Sequence, residues 1–578
     1  MTACAVVWHH CYQASLREGS SAATASIDKQ KLQTAKMSSF KLVIPKVDET
    51  YRSGSSADLS ALPSVPDVLP GSAAERALQL CAGVAPPARP QPPPDSLLDE
   101  LVTRSAAFPL GWPVAGVRCA RLLQKPDIDK ETLVRNVDSA YPVMHEKVLY
   151  LLVSFLEFKR QHGSAPERSL YADMSVLGLV DRLLQRRAAA FYGDRDVYLL
   201  QDGTKGSGGW ELVGTDEERP PLVLSACLSY DEIKLSALLS VSSHSVFTND
   251  GCRNNRGAET EDVGSFQRHG VIIGIIGSRL RRPSFMEYQE LIVSKNQNVS
   301  DNGYGHDTSA SLPACKWRQI FAAFYGVQPN FPLYEEALEM HQKDVKQSGV
   351  VRGSGGIDRY VELQLGDRDT LLFDNMLYQR RMSVSFETLL LEAASRAEAA
   401  GTTALVHIVG AGLGVWRISK HQERHFLDAF ASCIQRLLPS LSHVSEVRFA
   451  WFSEGATLRG VGDGGRVGHV RVRFSQAEPQ SRLVDNPEQL LVVSYAWDGN
   501  ALPGNEFWCG SLTSSGDPAA ACCSQITELH TASINSDRVC ARNLHIASSV
   551  WGVLHVSEYA RRMLKATTSG GGQPPDSD

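Results

Sequence analysis

The chain has 578 residues, enough for several domains or one large α/β body, and its 43% hydrophobic, 8% aromatic and 21% charged content is that of a globular protein with a substantial core. A wholly disordered or fibrous chain is excluded. With 58 basic against 64 acidic residues the formal charge is −6, so no global field draws it to a phosphate backbone or an anionic membrane, and neither nucleic acid nor membrane is expected as a partner.

In chain order, residues 1–95 read as a disordered leader and linker. The stretch from Tyr51 to Asp95 is dominated by Ser, Ala, Gly and Pro, with six prolines between Pro86 and Pro94. The first residues have no basic region followed by an apolar stretch, which argues against secretion and for a cytoplasmic protein. Residues 96–194 read as a helical N-terminal lobe, with Leu97, Leu98, Leu101 and Val102 forming one stripe and Val148 through Phe158 another. From 195 to 562 short apolar runs such as VIIGIIG, ALVHIVG and LLVVSYAW alternate with helical segments and glycine-bearing loops, which predicts an α/β sheet with helices on its faces. Residues 563–578 read as a disordered tail. The twelve cysteines include no CxxC pair, so reduced thiols are expected and no structural metal site.

Three segments carry candidate chemistry. The clearest runs from Ala404 to Leu438, where an apolar strand leads into Gly410, Gly412, Leu413, Gly414, Val415 and Trp416 and then a helix with capping-box spacing at Ser419 and Gln422. Glycines before a helix N-terminus let backbone N–H groups approach a diphosphate. A dinucleotide fold would need GxGxxG and an acidic residue about 20 positions on; here the pattern is GxGxG and the next strand ends near Glu454. His407, inside the apolar strand, reads as a packed core residue. The second segment follows LLVVSYAW and holds Asp498, Asn500, Asn505 and Glu506, polar groups beyond a strand end that suit ribose hydroxyls or a base. Shortly after it, Asp517 reads as a helix N-cap followed by Pro518. The third contains Asn249, Asp250, Gly251 and Asn255, then Glu259, Glu261 and Asp262. Asn-Asp-Gly is a turn signal in itself, yet this density of Asn and carboxylate is what holding a sugar and positioning a water requires.

FTNDGCRNN, HIVGAGLGVW, YAWDGNALPGNEFW and SGDPAAACCSQITEL together resemble the MavL-like macrodomain ADP-ribosylhydrolases, over about Val197 to Val556. The resemblance implies a macrodomain-like three-layer α/β/α mixed sheet binding ADP-ribose across its strand ends, and removal of mono-ADP-ribose from arginine side chains. It makes Gly410, Gly412, Gly414, Val415 and Trp416 the diphosphate loop and Asp498, Asn500, Asn505 and Glu506 a second ligand loop. It also implies acidic catalytic residues: Asp250 matches the acidic position of the family's ND-G-x-N motif, and Asp262 is taken ahead of Glu259 and Glu261 as its helper. Cleaving the bond from ribose C1″ to a guanidinium passes through an oxocarbenium-like centre, which carboxylates stabilise without a metal or cofactor. The expected partner is the ADP-ribose moiety of modified proteins, met by a monomer; a reader that binds ADP-ribose without turnover is the alternative.

Overall fold

The computed structural model describes residues 58–91, 93–307, 312–347, 359–365 and 369–568. Most of the expected leader, residues 1–57, and the end of the expected tail, residues 569–578, lie outside the described residues.

Ten strands form one mixed sheet: β1 (Tyr141–His145), β2 (Leu239–Val246), β3 (His269–Ile275), β4 (Ala404–Ile408), β5 (Val444–Ala450), β6 (Arg466–Val467), β7 (Val470–Ser475), β8 (Leu490–Ala496), β9 (His545–Ser548) and β10 (Gly552–His555). The order is β6-β7-β5-β4-β8-β3-β2-β1-β9-β10. The run β7-β5-β4-β8-β3 is parallel throughout, whereas β2 is antiparallel to both β3 and β1. The central strands form because their apolar runs are buried on both faces, as in β3, where Val271, Ile272 and Ile273 are consecutive and all fully buried. Continuous burial of that kind suits parallel strands covered by helices.

Six helices matter below: α1 (Ala73–Ala82), α2 (Glu146–His162), α3 (Asn375–Ala399), α4 (Gln422–Leu437), α5 (Gly516–Cys523) and α6 (Val556–Thr568). The 25-residue α3 packs against β1, β3, β4, β9 and β10 and also against α4. It is buried nearly all round, so its polar residues must find partners inside. Arg396 bonds Glu392 at 2.7 Å, Glu387 meets His145 at 2.9 Å, and Arg381 joins Arg279 on the Glu287 carboxylate. Burial alone would raise the Glu287 pKa, but the two guanidiniums outweigh it and hold it at about 2.

Three expectations about organisation are revised. The linker contains α1, whose N-cap Ser72 accepts from Glu75 N and whose Leu78 and Cys81 are fully buried as the helix packs on α2 and α6. The 96–194 segment is helical but also contributes β1, which lies inside the sheet with Tyr141 opposite Ser242 on β2 and Val143 opposite His545 on β9. Residues 563–568 continue α6. Among the described residues no helix is long and apolar enough to cross a membrane, and ten cysteines are free thiols.

Candidate active site

Parallel strands bring their C-terminal ends to one edge of a sheet, where following loops can converge. The loops after β4 and β8 do so here. The β4 loop leaves at Val409, whose amide donates to Ser494 Oγ on β8 (3.0 Å), while that hydroxyl donates to His407 O (2.8 Å). Leu413 N closes a tight turn on Gly410 O at 3.0 Å. The amides of Gly412, Gly414, Val415 and Trp416 find no acceptor among the described residues, which suits an anion cradle. The helix dipole contributes less than expected, because α4 begins only at Gln422 and its start is sealed by Gln422 Oε1, which accepts from Ile418 N and Ser419 N at 2.8 and 2.9 Å.

The glycines differ in purpose. Gly412 has φ +77° and a Cβ there would lie 3.0 Å from Ser278 N, so it is required by close packing on the loop after β3. At Gly414 an added Cβ would meet nothing within 4 Å. Gly414 and Val415 are exposed and Leu413 half-buried. His407 is a core residue as expected, 3% exposed, its pKa lowered by burial to about 4.

The β8 loop joins this cradle directly. Trp416 Nε1 donates to Asp498 Oδ1 at 2.8 Å, and Asn505 Nδ2 donates to Asp498 Oδ2. Asn500 and Asn505 pin the loop from behind: each Nδ2 donates to Phe191 O at 3.2 Å, and Asn505 Oδ1 accepts from Phe191 N at 2.8 Å. Two of the expected ligand groups, the Asn side chains, therefore serve first as structural braces.

Asp517 is a candidate site residue that sequence reasoning misses. Its pattern reads as an N-cap, but Ser515 occupies that place, and Asp517 is fully buried with Oδ1 accepting from Gly504 N at 2.6 Å. Its Oδ2 has no partner, nor does Glu506 Oε2. The three carboxyls act on one another. Burial, with Asp498 beside it, pushes Glu506 up to about 7. Burial, then Asp498 and Glu506, raises Asp517 well above the carboxylate range, and burial raises Asp498 against the pull of its Trp416 and Asn505 bonds. The signal available in sequence is the spacing of three acids over twenty residues around glycines; each taken singly looks like turn chemistry.

The acidic segment after β2 is placed elsewhere. Because β2 is antiparallel to β3, with Val246 opposite His269, it leaves from the edge where β3 begins. Asp250 is half-buried, and its Oδ1 accepts from Cys252 N (3.0 Å) and Asn255 Nδ2 (2.7 Å). Asn249 bonds Ala258 O and Gly251 N, closing the same turn. This turn meets the C-terminal end of α5, where Thr248 N donates to Cys523 O at 3.0 Å, whereas Asp517 sits at the helix's start, about 9 Å of rise away. Asp262 is exposed and caps its own turn through Gly264 N. Glu259 is paired with Lys125, and Glu261 is exposed. The structure thus brings together Trp416, Asp498, Asn505, Glu506 and Asp517, and does not bring Asp250 or Asp262 to them.

Two Drosophila melanogaster proteins are similar to the chain. One, named ADP-ribosylarginine hydrolase CG3568, is 41% identical over 502 residues, covering 85% of this chain and 92% of its own. The other, named ADP-ribosylarginine hydrolase CG2909, is 40% identical over 483 residues, covering 81% and 90%. A family model described as ADP-ribosylhydrolase MavL-like matches residues 99–562, which takes in β1 as well as both converging loops, and the chain belongs to that family.

Proposed function

We propose that the protein is a hydrolase that removes ADP-ribose from ADP-ribosylated arginine side chains. The relatives' names supply the substrate, and the observation that carries the reading is the Asp498–Glu506–Asp517 cluster, two half-buried acids beside a fully buried one, joined to the glycine loop through Trp416. The diphosphate lies on the free amides of Gly412, Gly414, Val415 and Trp416 and the distal ribose on the three acids, in a macrodomain-like arrangement across the strand ends.

The chemistry follows from the protonation states. Glu506, with its carboxyl at about 7 and one oxygen free, is suited to take a proton from water near neutral pH. Asp517, held well above the carboxylate range, keeps its proton on the free Oδ2 and donates it to a ribose hydroxyl. Asp498, aligned by Trp416 and Asn505, faces the positive charge that develops at C1″. Water oxygen bonds to C1″ as the C1″–N bond breaks. The water proton passes to Glu506 and then to the departing guanidine nitrogen, so the products are ADP-ribose and an unmodified arginine.

The test is incubation with a mono-ADP-ribosylated arginine peptide and measurement of free ADP-ribose. Release by the native protein and its loss in Glu506→Gln supports the reading. Tight binding of ADP-ribose without release would instead make the protein a reader.

A further inference from the structure

We propose that Arg279 is a positioning residue for the reaction, the buried cation that holds Asp498 in its charged form. The inference rests on the hydrolase reading and extends it to what lies behind the acids. β3 and β8 are parallel neighbours with Ile275 opposite Ala496, so the two chains leave the sheet side by side and bring Arg279 to Asp498. Arg279 Nη1 donates to Asp498 O at 3.4 Å, and Nη2 donates to Ile233 O at 3.3 Å. Nε and Nη2 also grip the Glu287 carboxylate at 2.9 and 3.0 Å, and Arg381 on α3 reaches the same carboxylate at 3.2 Å. All three side chains are at most 1% exposed. Two guanidiniums against one carboxylate leave one positive charge in excess, away from water, and such a charge is costly unless an anion answers it.

The surroundings supply little else to balance it. The carbonyls of Ile233 and Ala237, at the end of the short helix Tyr230–Ser236, accept from Arg279 and Arg381, yet a helix terminus offers only about half a charge. Glu290 is already bound to Lys234 at 2.7 Å, and burial keeps the Tyr325 hydroxyl neutral. Arg187 adds a further cation, 3% exposed, its guanidinium 4.1 Å from the ring centroid of Trp497 and bonded to Ser236 O and Leu239 O. The acid cluster is therefore the anion that this side of the molecule meets. Within the cluster the charge falls on Asp498. Burial raises all three acids; against it Asp498 has the Trp416 and Asn505 bonds and then Arg279, the one full charge that lowers any of them. A charged Asp498 in turn helps burial lift Glu506 to about 7. Arg279 thus fixes the state of the electrostatic stabiliser and, through it, of the base.

The experiment uses the full chain and its Arg279→Gln and Arg279→Lys variants, and measures the pH profile of kcat/KM on a mono-ADP-ribosylated arginine peptide, with Tm as the check on folding. Removing a cation raises the pKa of every acid it faces. In Arg279→Gln the acidic limb should therefore move up by about one pH unit, and the loss of rate should fade at higher pH. Lysine keeps the charge but not the planar fork, so Arg279→Lys should melt below the native protein while its limb stays within about 0.3 pH units. A folded Arg279→Gln whose rate falls equally at every pH would overturn the inference and leave Arg279 a brace. A lysine variant whose limb moves as far as the glutamine variant's would overturn it too. Should Arg279→Gln fail to fold, carboxyl carbon NMR of the native protein decides, with the two signals assigned by their absence from Asp498→Asn and Glu506→Gln. An Asp498 that takes its proton after Glu506 as pH falls supports the inference, and one that takes it first overturns it. That titration needs no turnover, so a native protein that binds ADP-ribose without releasing it would end the hydrolase reading while the charge on Asp498 is still read directly.

Discussion

At one end of α5 the half-buried Asp250 carboxylate is held by two donors of its own turn; at the other end the half-buried Asp498 and Glu506 gather with the fully buried Asp517, and one oxygen each of Glu506 and Asp517 is left without a partner. Both regions are acidic and rich in asparagine and glycine, and in sequence the first looks more catalytic. The difference lies in satisfaction. A carboxylate whose hydrogen bonds close its own loop is organised for the loop, whereas buried and unsatisfied carboxyls with raised pKa values carry a cost that folding alone does not require.

The largest effect should separate the two regions by rate. Glu506→Gln should lower kcat about 100-fold or more, while Asp250→Asn should stay within about threefold of native on the same peptide. The reverse result would move the chemistry to the β2 loop. Gly251 and Gly414 sharpen the contrast through stability. Gly251 has φ +87° and an added Cβ would overlap Gln480, so Gly251→Ala should destabilise by about 1–3 kcal/mol, seen as a lower Tm. Gly414→Ala should leave Tm unchanged and weaken ADP-ribose binding in calorimetry, since the only thing its methyl can meet is the ligand.

A pH titration of stability tests the acid cluster itself. Glu506 in the folded protein sits at about 7 against an ordinary 4.5, so the folded state holds the extra proton in between and native stability falls as pH rises from about 4.5 through 7. Glu506→Gln removes that loss, so its Tm advantage over the native protein should grow across the same window; a pH-independent difference would mean the carboxyl is not raised above its ordinary range. Least affected should be Asp262→Asn, whose side chain only caps an exposed turn: turnover should be native and stability within about 0.5 kcal/mol.

The sheet was legible because Val271 to Ile275, Ala404 to Ile408 and Leu490 to Ala496 are apolar runs of strand length beside glycine loops, and the two converging loops were legible for the same reason. Composition hid α1: averaged over Tyr51 to Asp95, prolines and serines mask ten residues in which Glu75, Leu78 and Cys81 follow the cap Ser72 at helical spacing. The direction of β2 was not readable at all. Nothing in LSVSSHSV states that it runs against β3, and that single fact sends Asp250 to the other edge of the sheet. Asp517 was invisible for another reason, since an acid before a proline at a helix start has an ordinary explanation that only burial contradicts.

The clasp between the two working loops has one more consequence. Gly277 lies so close to Ala411 and Gly412 that backbone meets backbone; two residues on, Arg279 reaches Asp498 O at 3.4 Å, and Trp416 reaches the Asp498 carboxylate from the glycine loop. The span from glycine loop to acids is therefore fixed by main chain and two side-chain ties, and under the proposed function it works as a ruler. A ligand whose linker is one phosphate shorter or longer than a diphosphate would bring its ribose to the wrong mark on that ruler and leave C1″ out of register with Glu506.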